Sequence, residues 1–399
     1  MATLLVIIIF ATYVGLGIPD SLFGTAWPAI YTQFNLPISY SNFVIGLMYM
    51  GTIVSSLLSA RLTKKLGTPL VVAISTALTA IALFGFSVSK NMIMLCLFSI
   101  PLGLGAGGID NVLNTYVALN YTATHINFLH CSYGVGVTLS PFLMSFALKQ
   151  SNNWQGGYKT MFFFQLALTV MCFLSIPIWN KVKSQKEEAG EKDETRVVSI
   201  PELLKIPIAR ASLLIYYCSC AIESVCLAWG STFLVNSKGL TPDKAAGMIT
   251  FYFVGMTLGR FISGLIANKV SPKKIIVFGE IIVLLAVILT FFKNPTYATV
   301  GLFLIGLGNG PIFPNMTHLT PIHMGRDISQ SFIGLQGAVS YGSILISPIT
   351  FGILAEKLST DIFSIFQIIA LVITIVATTM MLKYSKNIIK KQKNSCILY

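Results

Sequence analysis

We single out four ionisable side chains that lie inside long apolar stretches of the sequence. Three are acids, Asp20, Asp110 and Glu223, and the fourth is Arg260. A charge at the centre of a bilayer costs at least about 2.5–3.5 kcal/mol on insertion scales, so each one needs a compensating role. A carboxyl group in such surroundings can exchange a proton or bind sodium together with neighbouring oxygens. We expect the three acids to bind a coupling cation, H+ or Na+, and the alternative for Glu223 is a structural ion pair with Arg260.

Polar side chains accompany Asp110 at helical spacing. Asn114 follows it by four residues and shares its helix face. A lone histidine in a helix is more often a satisfied core residue than a ligand, but His130 shares a face with Asn127 in the span that follows this acid. Amide, imidazole and hydroxyl groups with tryptophan faces suit a polyhydroxylated solute, whose hydroxyls need hydrogen bonds and whose ring needs an aromatic platform. The candidate solute-binding residues, among which Arg260 has the ion pair as its alternative, are Asn111, Asn114, His130, Tyr133, Trp27, Trp229, Arg260, Asn315, His318 and Gln336.

The composition defines the surroundings of these residues. Of the 399 residues, 54% are hydrophobic and only 10% are charged, and the mean hydropathy is +0.77. A soluble domain carries about 25% charged residues. A chain this apolar cannot cover its surface with polar groups, so we expect an integral membrane protein. The sequence contains no nucleotide-binding loop, metal-ligand cluster or nucleophile–histidine pair, so neither an enzyme nor a cofactor other than the coupling ion is expected.

Hydrophobic stretches long enough to cross a bilayer recur along the whole chain. They predict an all-α membrane protein with twelve transmembrane helices, near 4–32, 39–62, 68–88, 91–120, 126–150, 157–181, 208–236, 242–268, 272–292, 295–320, 327–355 and 360–383. The charged segment 182–207 divides these spans into two sets of six, and its second part, 198–210, predicts a short interfacial helix. The expected domains are a six-helix bundle over 1–181, a cytoplasmic linker over 182–207, a second six-helix bundle over 208–384 and a basic cytoplasmic tail over 385–399.

The net charge of +13 could indicate a nucleic-acid ligand, but the basic residues are concentrated in alternate loops. This distribution is the positive-inside pattern, which places both termini and the linker in the cytoplasm. Anionic membrane lipids are therefore the expected partners of the basic loops, and no nucleic acid is expected. The pattern predicts a multi-pass protein of the cell membrane.

The two halves of the sequence are similar at an offset of about 203–207 residues. Asp20 corresponds to Glu223, and the glycine-rich run 103–107 corresponds to 306–310. A parallel repeat of six helices with a solute site between the halves follows from this periodicity. Asp110 corresponds to Phe313, so the repeat carries this acid in one half only. That asymmetry indicates function more than packing.

Three short motifs stand out against this twelve-helix layout. They are the acid Asp110 with Asn114, the run Asn-x-x-His-x-x-aromatic-Gly-x-Gly ending in Ser-Pro over 127–141, and Glu223 followed by Trp229. With them the chain resembles the major facilitator superfamily, and within it the fucose–galactose–glucose:cation symporter family, most of all its sodium-dependent glucose transporter-like branch. The resemblance implies the major facilitator fold, a monomer, and sugar symport by alternating access between two bundles. It also implies a coupling role for the acid at Asp110.

A proton-coupled exporter of drugs or amphipathic metabolites is the alternative function. Exporters of this kind carry an arginine early in span 4 and a Gly-Pro pair in span 5. Span 4 of this chain has no arginine or lysine, and span 5 has Ser140-Pro141 instead. A non-transporting receptor on the same fold would carry a signalling domain, whereas only a short basic segment follows Lys383. We therefore expect a secondary active transporter that works by symport.

Overall fold

The computed structural model describes residues 2–151, 153–188 and 196–396, and the regular structure within them is helical. A short 3₁₀ turn, Ile38–Tyr40, leads into the second helix. In chain order the α-helices are α1 (Ala2–Gln33), α2 (Ser41–Leu66), α3 (Thr68–Val88), α4 (Met92–Asn120), α5 (Ala123–Ser151), α6 (Trp154–Leu174), α7 (Ile176–Glu188), α8 (Ile200–Lys205), α9 (Pro207–Asn236), α10 (Pro242–Ile266), α11 (Pro272–Phe291), α12 (Pro295–Asn309), α13 (Ile312–Met324), α14 (Ser329–Lys357) and α15 (Ile362–Cys396).

Within the described residues, twelve helical stretches are long and apolar enough to cross a membrane. The predicted all-α membrane fold class with twelve spans is therefore confirmed. Two of the stretches are each built from two helices, α6 with α7 and α12 with α13. The second of these breaks at Pro311, which has no N–H to donate, so α12 ends at Asn309 and α13 begins at Ile312.

Within the segment 198–210, for which the sequence predicts a short interfacial helix, the structure has α8, a helix of six residues. Its position at the membrane interface stays a prediction. The helix ends at Lys205 because Ile206, the residue before a proline, is restricted to extended conformations, and Pro207 then begins α9. Residues 189–195 of the predicted linker and 397–399 of the predicted tail lie outside the described residues. The predicted domain boundaries stay a prediction.

The chain forms two compact units, and both are discontinuous in sequence. The first unit comprises Met1–Val117, Phe128–Val197 and Arg326–Ala338. The second unit comprises Ala118–Asn127, Val198–Gly325 and Val339–Tyr399.

Each unit has an apolar core of its own. In the first, Tyr158 stacks on Phe86 with 5.1 Å between ring centroids, and Trp154 meets Tyr158 edge to face. In the second, Phe233 stacks on Phe363 with 4.4 Å between centroids. Many other large apolar side chains are exposed on the outer faces of the helices, as a surface in contact with lipid requires.

The two units repeat the same close packing between helices. A β-carbon on Gly103 of α4 would collide with the carbonyl oxygen of Met48 on α2. At the corresponding place in the second unit, a β-carbon on Gly306 of α12 would collide with the carbonyl oxygen of Tyr252 on α10. Small residues allow helix backbones to approach closely inside a membrane. The packing of these helices therefore recurs at the offset predicted from the sequence.

This packing predicts that Gly103→Ala and Gly306→Ala each destabilise the protein by about 1–3 kcal/mol, because the added methyl group overlaps a backbone carbonyl. Gly46 of α2 has no atom within 4 Å of the position that a β-carbon would take. Gly46→Ala is therefore the matched control, and it should be neutral or slightly stabilising. Thermal unfolding of the purified variants in detergent measures the effect. Equal melting temperatures for Gly103→Ala and Gly46→Ala would contradict the prediction.

Candidate functional site

A chain of hydrogen bonds surrounds Asp110 in the first unit. The hydroxyl group of Tyr13 on α1 donates to Asp110 Oδ1 over 2.7 Å, and the amide of Asn114 donates to the same oxygen over 3.0 Å. All three side chains are at most 6% exposed. Asp110 and Asn114 meet because they lie one turn apart on α4. These donors offset the cost of burying a carboxylate away from water.

His130 on α5 extends this chain to a third helix. Its Nε2 lies 3.1 Å from Asn114 Oδ1, and its ring meets the ring of Tyr13 edge to face with 5.7 Å between centroids. Since Asn114 directs its NH₂ group to the carboxylate, its oxygen can only accept, so Nε2 of His130 carries the hydrogen. The structure thus brings together the predicted residues Asp110, Asn114 and His130.

A second acid, Asp20, lies on α1 beside this chain. It is seven residues after Tyr13, so the two side chains project from the same helix face two turns apart. The hydroxyl group of Tyr133 on α5 donates to Asp20 Oδ2 over 2.6 Å. Asp20 is exposed whereas Asp110 is buried, so the two predicted coupling acids occupy different environments within one unit.

Close packing of α1 against α5 positions Asp20 beside Tyr133. A β-carbon on Gly17 would collide with the carbonyl oxygen of Tyr133, and a β-carbon on Gly136 would collide with the carbonyl oxygen of Val14. The two glycines thus allow the backbones to approach from both sides of the contact. The short hydrogen bond between acid and tyrosine depends on this approach.

The amide group of Asn111 is used in contacts between helices. It donates to Ser56 Oγ on α2 over 2.7 Å and to a carbonyl one turn earlier in α4 over 2.8 Å. Gly337 of α14, which belongs to the first unit, lies against the side-chain oxygen of Asn111. The neighbouring Gln336 is 2% exposed. The structure therefore places Asn111 at a contact with α2 and α14, on a different side of α4 from Asp110.

Asn315 on α13 makes the corresponding contacts in the second unit. Its amide donates to Ser263 Oγ on α10 and to the carbonyl oxygen of Pro311, each over 2.8 Å. Its Oδ1 and the Nδ1 of His318, one turn later, have no hydrogen-bond partner among the described residues. The amide hydrogens of Asn315 thus serve packing. One polar atom of each of the two predicted solute contacts on α13 has no hydrogen-bond partner among the described residues.

The two predicted tryptophans each use the indole nitrogen to hold a backbone carbonyl. Nε1 of Trp27 donates to the carbonyl oxygen of Ile38, and Nε1 of Trp229 donates to that of Pro348, each over 2.9 Å. Trp27 is 6% exposed in the core of the first unit, and Trp229 packs against Phe351 with 5.5 Å between centroids. Both side chains therefore have a packing role in the structure, and their contact with solute stays a prediction.

Glu223 and Arg260 form an ion pair in the second unit. Nη2 of Arg260 lies 3.9 Å from Oε2 of Glu223, and Nε of Arg260 donates to the carbonyl oxygen of Gly310 over 3.2 Å. The Arg260 side chain is 6% exposed and that of Glu223 is 24% exposed. This is the structural pairing that the sequence offered as the alternative to cation binding by Glu223.

Tyr13 and Glu280 are polar residues of the membrane interior that were not among the residues predicted from the sequence. Tyr13 completes the chain of hydrogen bonds around Asp110. Its spacing of two helical turns from Asp20 is the feature of the sequence that could have indicated this role. Glu280 of α11 is 4% exposed and accepts a hydrogen bond from Thr378 of α15 over 2.5 Å. The feature of the sequence that could have indicated Glu280 is its position as an acid eight residues into an apolar span.

The comparisons with known proteins agree with this architecture. The sequence profile of the Major Facilitator Superfamily matches residues 5–348 and 228–393. The glucose/mannose transporter GlcP of Bacillus subtilis is 21% identical over 353 residues, which are 85% of each chain. The human sodium-dependent glucose transporter 1 is 22% identical over 390 residues, with 87% of this chain and 73% of that protein covered. The solved structure of the E. coli fucose:proton symporter FucP superposes with a TM-score of 0.76 at 13% identity, with 95% of this chain and 98% of that chain covered.

This chain belongs to the Major Facilitator Superfamily, a family of multi-pass membrane transporters. The predicted family and fold are confirmed, and so is the prediction that the protein is not an enzyme. The match to the human protein also confirms the resemblance to sodium-dependent glucose transporter-like proteins.

Breaking the Glu223–Arg260 pair should destabilise the protein. Glu223→Gln and Arg260→Met each leave one charge without its partner, and we expect a loss of about 1–3 kcal/mol for each, less than for a fully enclosed pair. The double variant should recover part of this loss because no isolated charge is left. Thermal unfolding in detergent of the unchanged protein, the two single variants and the double variant measures the coupling free energy between Glu223 and Arg260. Losses that simply add in the double variant would show that the two residues do not stabilise each other.

Proposed function

We propose that this chain is a symporter that couples the uptake of a sugar to a cation gradient by alternating access. The observation that carries the proposal is the hydrogen-bonded chain from Tyr13 through Asp110 and Asn114 to His130. With Asp20 beside it, the first unit holds two carboxyl groups, and each is contacted by a tyrosine hydroxyl group. Ionisable groups inside a membrane mark ion pathways. The adjoining amide and imidazole groups can bind the hydroxyls of a solute.

The surroundings of the two acids favour a proton over sodium as the coupling ion. Neutral donors contact the carboxylate oxygens of both acids: a tyrosine hydroxyl group at each acid, and the amide of Asn114 at Asp110. Sodium sites in transporters commonly use backbone carbonyls freed where a helix unwinds. Helix α4 is continuous from Met92 to Asn120, so its carbonyls near Asp110 stay within the helix. A carboxyl group that alternates between protonated and ionised states needs no such ligands.

A sugar is the solute that both the site chemistry and the relatives support. Asn114, His130 and Tyr133 offer amide, imidazole and phenol groups close to the two acids, and each can donate to or accept from a hydroxyl group. GlcP is a glucose/mannose transporter, the human relative is a sodium-dependent glucose transporter, and FucP is a fucose:proton symporter. Those solutes belong to the relatives, and a small polyhydroxylated molecule is the class that we infer for this chain.

We place the protein in the cell membrane as a monomer with both termini in the cytoplasm. The concentration of lysine and arginine in alternate loops supports this orientation. The moving parts would be the six-helix bundles over 1–181 and 208–384, joined by the linker over 182–207. Membrane lipids and the solute are the expected partners, and no cofactor beyond the coupling ion is needed.

The central test is Asp110→Asn in proteoliposomes with an imposed cation gradient. Because an amide cannot carry a proton, this variant should lose at least about tenfold of gradient-driven sugar accumulation while still inserting and folding. Glu280→Gln is the matched control, since it also removes a buried carboxyl group from the membrane interior, and it should keep accumulation. Full accumulation by Asp110→Asn would exclude Asp110 as the coupling residue.

The same vesicles identify the ion and the solute. Hexoses, deoxyhexoses and glycosides are offered with sodium present or replaced, and with pH varied. A sugar-triggered current that depends on pH and not on sodium is the expected result, and a strict sodium requirement would contradict the proton. If no sugar of the panel triggers a current in vesicles shown to hold folded protein, the result would favour export of an amphipathic solute instead.

Tyr13→Phe should weaken uphill transport by about tenfold, because it removes one hydrogen bond to a charged group and keeps the ring against His130. Tyr31→Phe removes a hydroxyl group from the same helix outside this chain and serves as the control. Initial rates of gradient-driven uptake, compared at equal amounts of reconstituted protein, measure the difference. Equal rates for the two variants would show that the Tyr13 hydroxyl group has no part in coupling.

A further inference from the structure

A groove of about 340 Å³ lies on the second unit. It is formed by α8, α9 and the middle of α14. Apolar side chains and one guanidinium group line it: Leu204, Arg210, Leu213, Leu214, Tyr217 and Val339. Leu204 and Leu214 are 42% and 41% exposed, so apolar surface of the groove is open to the surroundings of the protein.

Arg210 lies where the span of α9 begins. It follows Pro207, the first residue of the helix, by three positions, and the charged segment that contains α8 precedes it. Its side chain is exposed. Among the described residues, none forms a hydrogen bond or ion pair with its guanidinium group. A cation in the first turn of a membrane span lies at the level of the lipid headgroups.

The apolar lining of α9 continues from Arg210 towards the interior of the membrane. Leu213, Leu214 and Tyr217 follow Arg210 by three, four and seven residues, which places all four side chains on one helix face. At a rise of about 1.5 Å per residue, Tyr217 is roughly 10 Å deeper than Arg210 along the helix axis. The groove is thus charged at the membrane surface and apolar below it.

We propose that this groove binds one anionic phospholipid. The phosphate group would pair with Arg210, whose planar guanidinium group matches phosphate oxygens with two parallel hydrogen bonds. An acyl chain would lie along Leu214 and Tyr217, with Leu204 of α8 covering it near the surface. An anionic lipid is the occupant that fits, because the groove supplies a positive charge and an apolar channel in the order in which a phospholipid carries its headgroup and its chain. On the cytoplasmic side, where the basic loops place this end of α9, anionic lipids are abundant.

The full-length protein, purified in detergent, allows a direct test by native mass spectrometry and thermal unfolding. Phosphatidylglycerol is titrated against phosphatidylcholine of the same chain length. We expect one retained phosphatidylglycerol, with a higher melting temperature than phosphatidylcholine gives. Arg210→Gln should weaken phosphatidylglycerol binding by about fivefold and remove the preference over phosphatidylcholine.

Lys274→Gln is the matched control, because Lys274 is an exposed cation in the first turn of α11. This variant should bind phosphatidylglycerol as the unchanged protein does. A second variant, Leu214→Asn, keeps the charge and disrupts the chain contact, so it should weaken both lipids. Unchanged phosphatidylglycerol binding by Arg210→Gln, or an equal loss in Lys274→Gln, would overturn the proposal. Retention of phosphatidylcholine as strong as that of phosphatidylglycerol would overturn it as well.

Discussion

Polar groups inside this protein must find their partners within the protein, because the hydrocarbon interior of a membrane offers no water to satisfy them. Many hydroxyl groups solve this locally by bonding back to their own helix, as Thr12 does to the carbonyl of Ile8 and Thr374 does to that of Ala370. The amides of Asn111 and Asn315 also bond back to a carbonyl one turn earlier, but each reaches a serine on a neighbouring helix as well. The carboxylate of Asp110 accepts from Tyr13 on another helix. The positions of these longer side chains therefore decide which helices must approach closely, and glycines lie at the points of approach.

The two units share their packing but differ in their chemistry. Asn111 and Asn315 hold equivalent helices through a serine and a carbonyl in each unit. Onto this common framework the first unit adds Asp110 with its donors, whereas the second unit has the pair of Glu223 with Arg260. A charge compensated by a fixed opposite charge has little reason to exchange a proton. A carboxyl group held by neutral donors can change its ionisation without leaving another charge stranded, which is why we assign coupling to the first unit.

Helix α1 connects the two acids of the first unit. It supplies the hydroxyl group that reaches Asp110 and, two turns later, carries Asp20 itself. Its contact with α5 depends on backbone approach at Gly17 and Gly136. A shift of α1 against α5 would therefore alter the surroundings of both carboxyl groups together. Helix α1 contacts Asp110 and carries Asp20, so its position depends on whether each acid is protonated or ionised. It is therefore well suited to link ionisation to a change of conformation.

The sequence by itself determined the class of this protein, because length and hydrophobicity of a span are local properties. Twelve apolar stretches, the repeat and the spacing of Asp110 and Asn114 could all be read from it. The contacts between helices could not be predicted in this way. Asn111 and Asn114 were predicted alike as solute contacts, yet one holds α2 and the other holds Asp110. Tyr13 and Glu280 acquired their roles only through partners on other helices. Periodicity fixes which residues share a face, but only the tertiary structure decides which neighbour that face meets, since this depends on how each helix is rotated and packed.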